Sequence, residues 1–288
     1  RDQPRSRGLG DVYKRQQLEI PRFAGQLHAD VVHIPYWAPP LRSPTPLVVT
    51  VHDIIPLLLP EHRGSLLERC YTALAAAATR GAAQIIADSH SSRQDIVSRM
   101  QLPTNRVRTV HLAAAKKFAP QVGTNPINNL RAKYRLPESY VLYLGGFQRR
   151  KNVRHLLAAW TWAHSAMPEG YELVIAGRLP EHPDGRLFQD LPATARRHGI
   201  DETVCFIGAV DEADKPMLYQ GASCFVFPSS YEGFGLPPLE AMACGVPVVT
   251  TGAASITEVV GDAAYLVSDP TDARKLGAAI ISTIVDTD

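Results

Sequence analysis

Little in this 288-residue chain points to a metal, a disulfide framework or a membrane span. It has only four cysteines, Cys70, Cys205, Cys224 and Cys244, and their spacing matches no metal-ligand pattern. Most fall in apolar strand or helix patterns, so free core thiols in a reducing cytoplasm are expected. No apolar run approaches the roughly 18–20 residues that cross a bilayer, and the opening does not read as a signal peptide. No Gly-x-Gly-x-x-Gly follows a strand, which argues against the nicotinamide-binding turn, and no Walker-type Gly-Lys-Ser/Thr occurs. The single Asp-x-Asp, Asp286-Thr287-Asp288, stands at a terminus expected to fray, a poor place for a metal–diphosphate site. No metal, no organic cofactor and no nucleic-acid partner is expected.

What is present describes an ordinary globular protein, 45% hydrophobic and 20% charged, long enough for two cores. The net charge of +2 is unevenly spread. Residues 1–135 hold 19 Lys and Arg against 9 Asp and Glu, a net of +10, whereas residues 136–288 hold 11 against 19, a net of −8. A basic half can meet an anionic membrane surface or an acidic acceptor; a scattered, solvated basic face explains it equally well.

Residues 1–17 show no hydrophobic period and are expected to be a disordered tail. The ending DVYKRQ of its first sixteen residues resembles translated adapter sequence, so the segment is set aside as non-native. Strand-like runs then alternate with helix-like ones, which predicts doubly wound parallel sheets. In the first half the strands are Val31 to Ile34, Leu47 to Val51, Gln84 to Ala87 and Val107 to His111. Helices are expected over Ser65 to Arg80 and, capped by Ser91 or Ser92, over Arg93 to Met100. Pro120 to Asn129 has the composition of a linker. These features divide the chain into a domain with linker over 18–135 and a second domain over 136–288. In the second, strands are expected at Tyr140 to Leu144, Glu172 to Ala176, Val204 to Ile207, Cys224 to Phe227, Val246 to Thr250 and Ala264 to Val267. Helices are expected at Val153 to His164, Arg186 to His198, Lys215 to Gln220, Pro238 to Cys244 and Asp272 to Thr283.

Two stretches combine a strand end, glycines and a helix start. Cys224 to Phe227 leads into a loop with Gly233 and Gly235, and Pro237-Pro238 opens the next helix. Glycines let backbone approach a ligand, and a helix start offers N–H groups to an anion. Glu232 and Glu240 flank this loop. A carboxylate would repel phosphate, so both suit neutral hydroxyls such as those of a sugar. Taken singly, Glu240 could merely favour the helix dipole, worth about 0.3–1 kcal/mol, and Glu232 could be a solvated loop residue. The second stretch, Gly145-Gly146-Phe147-Gln148-Arg149-Arg150-Lys151-Asn152, clusters cations between a strand and a helix, as a diphosphate requires; a solvated cationic face is the plainer alternative. In the first half, Val-Thr-Val leads into a His52-Asp53 pair at a strand end, where a histidine serves catalysis or simple structural hydrogen bonding. Asp88-Ser89 is explained by capping the next helix.

Glu232-Gly-Phe-Gly-Leu, then Glu240 eight residues on, then Ala-Met-Ala-Cys-Gly-Val-Pro-Val-Val closely resembles the signature of retaining glycosyltransferase family 4. The resemblance covers most of residues 30–285 and is strongest from Val204 to Val267. It implies the GT-B fold: two Rossmann-like, doubly wound parallel-sheet domains facing across a cleft, the second holding most of the donor. The implied reaction moves a hexose from a nucleotide-diphosphate sugar to a hydroxyl of a glycan or lipid-linked acceptor, without a metal and with retention. Such chemistry belongs to polysaccharide biosynthesis, in the cytoplasm or peripherally at the inner face of the membrane.

By the same resemblance Arg150 and Lys151 contact the phosphates. Gly146 stands where a subgroup carries Arg, which removes one phosphate contact. The strand end Phe206 to Val210 faces the base with its backbone, and Glu240 holds the ribose. Glu232, with the backbone of Phe234 and Gly235, holds the sugar, Gly233 and Leu236 complete the donor loop, and His52 lies on the opposite wall. The His-Asp-Ile-Ile-Pro stretch is similar to mannosyl- and rhamnosyltransferases. The family's opening strand and glycine-rich loop have no counterpart before Leu18, and helices after Val285 look cut off. An incomplete first domain and negligible transfer are therefore expected. The alternatives are a GT-B phosphorylase or epimerase, and a catalytically inactive nucleotide-sugar-binding module.

Overall fold

A computed structural model describes residues 15–121 and 127–285. The tail over residues 1–14, most of the linker core at 122–126 and the terminal Asp-x-Asp lie outside the described residues. The chain divides between His111 and Leu112 into two units. Among the described residues no helix is long and apolar enough to cross a membrane.

In the first unit four parallel strands, β1 (Val32–Ile34), β2 (Leu47–Val51), β3 (Gln84–Ala87) and β4 (Val107–Thr109), lie in sequence order. Parallel strands are covered on both faces, so β2 and β3 carry β-branched residues with little alternation. Val49, Val51, Ile85 and Val107 are fully buried, with Ile96 and Met100 packed on them. Among the described residues four α-helices accompany the sheet: α1 (Ile20–Gln26), α2 (Ile55–Leu58), α3 (Leu66–Arg80) and α4 (His90–Met100). Ser65 opens α3 with a capping box, its hydroxyl taking the Glu68 N–H at 3.4 Å and its own N–H bonding Glu68 Oε2 at 2.6 Å.

Two expectations need correction here. α4 begins at His90, three residues earlier than read, because Ser89 is the cap; it is extended at φ −143° and accepts the Ser92 N–H at 2.9 Å. Residues 15–17, read as tail, are helical and lead into α1.

The second unit holds six parallel strands in the order β10-β9-β8-β5-β6-β7. They are β5 (Ser139–Leu144), β6 (Tyr171–Ala176), β7 (Val204–Gly208), β8 (Cys224–Phe227), β9 (Val248–Thr251) and β10 (Tyr265–Val267). α5 (Ile127–Tyr134) precedes them, α6 (Val153–Ala166), α7 (Leu191–His198), α8 (Lys215–Gln220), α9 (Leu236–Ala243) and α10 (Ile256–Val260) run between them, and α11 (Ala273–Val285) follows. Phe225, Phe227, Tyr143, Tyr219 and Trp160 are fully buried. Phe227 stacks on Tyr143 and Phe225 with centroids 6.3 and 6.0 Å apart, and Tyr219 meets Phe225 edge-on at 5.2 Å.

The segment before the linker belongs with this unit: Phe118 is buried against Tyr219, and Lys117 pairs with Glu212 at 3.2 Å. The helix expected from Arg186 starts only at Leu191. Asp184 captures the N–H groups of Arg186, Leu187 and Phe188 at 2.8–3.0 Å, holding the preceding residues in a turn, and Asp190 caps α7. Pro247 cannot donate, so β9 starts after it. The short α10 has too few residues to show a period and was not foreseen. With β5 between β6 and β8, the strand order reverses at β5, and open α/β sheets bind ligands outside the carboxyl ends of strands at that crevice.

Candidate functional site

The two glycine-containing loops meet at this crevice. The first leaves β5 through Gly145 and Gly146, where the Tyr143 hydroxyl donates to Gly146 O at 2.5 Å. Arg149–Lys151 form one tight helical turn. Asn152 then takes left-handed backbone, φ 53°, a conformation asparagine adopts more readily than most residues. Its Nδ2 donates to Pro228 O at 3.1 Å, which ties the first loop to the second. Arg150 adds two ties: its Nη1 donates to Tyr231 O at 2.8 Å and its carbonyl accepts the Ser230 N–H at 2.8 Å.

Three donors then converge on one carboxylate oxygen. Glu232 Oε1 lies 2.6 Å from Lys151 Nζ, 3.0 Å from Arg150 Nη1 and 2.5 Å from Ser229 Oγ. Lys151 and Glu232 are each 9% exposed. Burial alone would push the Glu232 carboxyl up; the Lys151 and Arg150 charges and the hydrogen bonds from Lys151 and Ser229 outweigh it and hold its pKa below the ordinary value. Lys151 Nζ also stands over the Phe227 ring, 4.9 Å from its centroid. Two cations and one anion leave this cluster with a net positive charge, directly beside the glycines.

Beyond Glu232 the loop is held by its backbone. Ser255 Oγ, fully buried, lies 2.9 Å from Glu232 O and 2.7 Å from Phe234 O. Gly233 and Phe234 are buried, and Gly235 sits at φ 120°, which only glycine adopts freely. Leu236 then starts α9. The expected row of N–H groups at this helix start is shorter than the sequence implied. Pro237 and Pro238 have no N–H, and the Leu239 N–H is bonded to Gly235 O at 3.4 Å. Donors for an anion must therefore come from the cations and the loop as much as from the helix.

Glu240 is half-buried one turn into α9, where Oε2 accepts the Tyr219 hydroxyl at 3.1 Å. Burial raises its pKa; the Tyr219 hydrogen bond and Lys215 oppose this without cancelling it. Val210 is half-buried just past β7, whose last residue, Gly208, turns at φ 73° and accepts the Gly177 N–H at 2.8 Å. Gly146 is exposed, with the Gln148 amide filling the space a side chain would take.

His52 belongs to the first unit and stands at the end of β2. Its carboxylate partner is Asp88: Nδ1 lies 2.7 Å from Asp88 Oδ2. Neighbours on a strand point to opposite sides, while β2 and β3 run in parallel register, Val51 beside Ala87, so the next residues on each strand meet. Asp53 instead accepts the Ile55 N–H at 3.0 Å and starts α2. Within the second unit the structure brings together Arg150, Lys151 and Glu232. Sequence reasoning missed Ser229, Asn152, Ser255 and Tyr219, whose only sequence signal is a polar residue beside an apolar strand or helix.

Residues 127–288 match the family model described as glycosyl transferases group 1, and residues 4–114 match that of glycosyltransferase family 4. O-antigen chain mannosyltransferase B of Escherichia coli is 35% identical over 240 residues, covering 83% of this chain and 61% of its own length. A serotype-specific mannosyltransferase of the same organism, WbdA, is 32% identical over 259 residues, covering 88% of this chain and 31% of its own. The chain thus spans less than two thirds of these relatives. Among solved structures, sucrose-phosphate synthase from Thermosynechococcus elongatus superposes with a TM-score of 0.74 at 23% identity, covering 99% of this chain and 71% of that one. HepE of Anabaena, in complex with UDP and glucose, gives 0.72 at 22% identity, covering 99% and 75%. At these identities the likeness establishes the fold, and that fold is GT-B.

Proposed function

Because the chain belongs to the glycosyl transferases group 1 family, we propose that it moves a hexose from a nucleotide-diphosphate sugar to an acceptor hydroxyl with retention of anomeric configuration. The observation that carries this reading is the Arg150–Lys151–Glu232 cluster at the point where the strand order reverses. Lys151 and Arg150 stabilise the departing diphosphate as its charge grows. Glu232 and the Phe234–Gly235 backbone receive the sugar, Glu240 the ribose hydroxyls, and backbone near Val210 the base. Within the first unit, Asp88 orients His52, the candidate catalytic residue there. The named relatives, mannosyltransferases of which one acts on an O-antigen chain, support mannose as the hexose and a glycan as acceptor. The basic first half supports peripheral contact with an anionic membrane from the cytoplasmic side.

The test is an incubation with a panel of nucleotide sugars, GDP-mannose among them, and mannose-terminated acceptors, following nucleoside diphosphate release and the anomeric proton of the product. Transfer by this chain alone is expected to be weak, and any product formed to keep the anomeric configuration. Inversion would overturn the mechanism, phosphate-dependent release would point to a phosphorylase, and tight binding with no transfer would leave a binding module.

Glu240 provides a second test. Glu240→Gln removes a charged acceptor for ribose hydroxyls, and affinity for nucleoside and nucleoside diphosphate should fall together by roughly 1.5–3 kcal/mol. Unchanged affinity in calorimetry would reduce Glu240 to a helix-start residue. The pH dependence follows from the same carboxyl. Its pKa is raised by burial, so the anion is lost on acidification earlier than for an exposed glutamate. Wild-type affinity for the nucleoside should be constant at neutral pH and fall as pH drops through that raised value, while the glutamine variant should show no such step.

A further inference from the structure

We propose that Ser255 is a positioning residue of the donor site, setting the peptide groups of the Glu232–Gly235 loop; this rests on the donor-site reading above. Ser255 stands at the N-cap of α10, where a serine hydroxyl ordinarily accepts an N–H of the first turn. It makes no such cap bond. The residue is fully buried, and its hydroxyl is directed 21 and 23 positions back in the chain, to Phe234 O at 2.7 Å and Glu232 O at 2.9 Å. A hydroxyl has one proton, so the two carbonyls share it. A helix start has given up its cap to hold two carbonyls of one loop.

The consequence follows from peptide geometry. In a trans peptide the C=O and the next N–H point in opposite directions. Fixing Phe234 O therefore turns the Gly235 N–H away from Ser255. Fixing Glu232 O sets the peptide that follows the Glu232 side chain, whose carboxylate the opposite loop holds through Lys151, Arg150 and Ser229. The loop is thus clamped from two sides, by side chain and by backbone. The glycine at φ 120° lets the chain pass from the clamped peptide into α9 without steric cost. The Gly235 N–H, so aimed, is a fixed donor for an oxygen of the terminal phosphate at its junction with the sugar, one that GDP and GDP-mannose both carry. Preorganised donors act because they need no reorientation when charge develops.

The experiment compares Ser255→Ala and Ser255→Thr with wild type, using GDP-mannose, GDP and guanosine as calorimetric probes, with thermal unfolding measured alongside. The Gly235 amide resonance is followed during the GDP titration. Ser255→Ala should lose about tenfold in affinity for GDP and GDP-mannose, keep its affinity for guanosine, and lose the ligand-induced shift of the Gly235 amide. Ser255→Thr, which retains the hydroxyl, should recover most of that affinity and the shift. A lowered unfolding temperature with equal changes for GDP and guanosine, or with no change in either, would overturn the inference and make Ser255 a structural staple. Absence in wild type of any preference for GDP over guanosine, or an unchanged preference in Lys151→Ala, would remove the donor-site reading itself, and this inference with it.

Discussion

Replacing Lys151 with alanine is expected to cost about 3 kcal/mol of stability at neutral pH and to remove most of the preference for a nucleoside diphosphate over the nucleoside. The stability loss follows from what the ammonium leaves behind. Glu232 is buried, and Lys151 is its nearest cation at 2.6 Å. Removing one member of a buried pair typically costs about 3–5 kcal/mol; Arg150 at 3.0 Å and Ser229 at 2.5 Å remain, which keeps the loss at the lower end. The cation over Phe227 is lost as well.

The sign with pH is fixed by the lowered Glu232 pKa. A depressed carboxyl contributes stability that is complete above its unfolded value and is lost as pH falls through its folded value. In the variant that depression is weakened, because the Lys151 charge and hydrogen bond are gone while Arg150 and Ser229 remain. The gap between wild type and variant should therefore be widest at neutral pH and narrow in acid. Urea denaturation at several pH values, with GDP and guanosine titrations at neutral pH, checks both parts. A gap independent of pH would show that the pair contributes nothing electrostatic, and equal losses for GDP and guanosine would take Lys151 out of the phosphate site.

Gly177→Ala should be as damaging, although residue 177 carries no chemistry. Gly177 follows β6 at φ 144°, in territory that costs a side chain about 1–3 kcal/mol. A Cβ there would lie 2.2 Å from Gly145 O and 3.0 Å from two carbons of the Phe147 ring. Overpacking of this kind costs a further 1–3 kcal/mol, roughly, so about 2–6 kcal/mol in all is expected. The atom struck first is the carbonyl that opens the cation-bearing loop, so GDP affinity should fall too. Gly170→Ala is the control: it also has positive φ, 87°, but nothing lies within 4 Å of its Cβ position, and only a strain of about 1 kcal/mol is expected. If Gly177→Ala denatures at the same urea concentration as Gly170→Ala, the loop yields freely and the close approach is not a constraint.

The strands were legible because buried parallel strands concentrate β-branched and aromatic residues: Leu47–Val51, Gln84–Ala87 and Cys224–Phe227 stand where their sequences put them. Helix starts were less so. Ser89, Ser91 and Ser92 are interchangeable as caps in sequence, and only backbone conformation selects Ser89. Asp184 overrode a helical pattern because its carboxylate satisfies three N–H groups locally. The fold class and the two glycine loops could be read from the chain through their resemblance to a known signature. That Arg150 and Lys151 neutralise Glu232 could not. The resemblance gives both cations to the phosphates and Glu232 to the sugar, and the pairing of Lys151 with Glu232 across 81 positions is a property of strand order. The carboxylate that meets His52 is hidden for the same reason, because the next strand supplies it.

That strand order also has a meaning in time. β5 lies beside β6, which follows it after a single helix, and beside β8, which follows only after two further crossovers. Lys151 and Glu232 are 81 residues apart, and at roughly 5–20 residues per second the ribosome makes the first about 4–16 s before the second. Through that interval the nascent chain carries Arg150 and Lys151 without the carboxylate that will neutralise them. Closing so long a loop also costs about 2 kcal/mol more than closing a ten-residue turn, three doublings at ~0.6 kcal/mol each. The cationic loop is therefore made early and receives its counter-charge late.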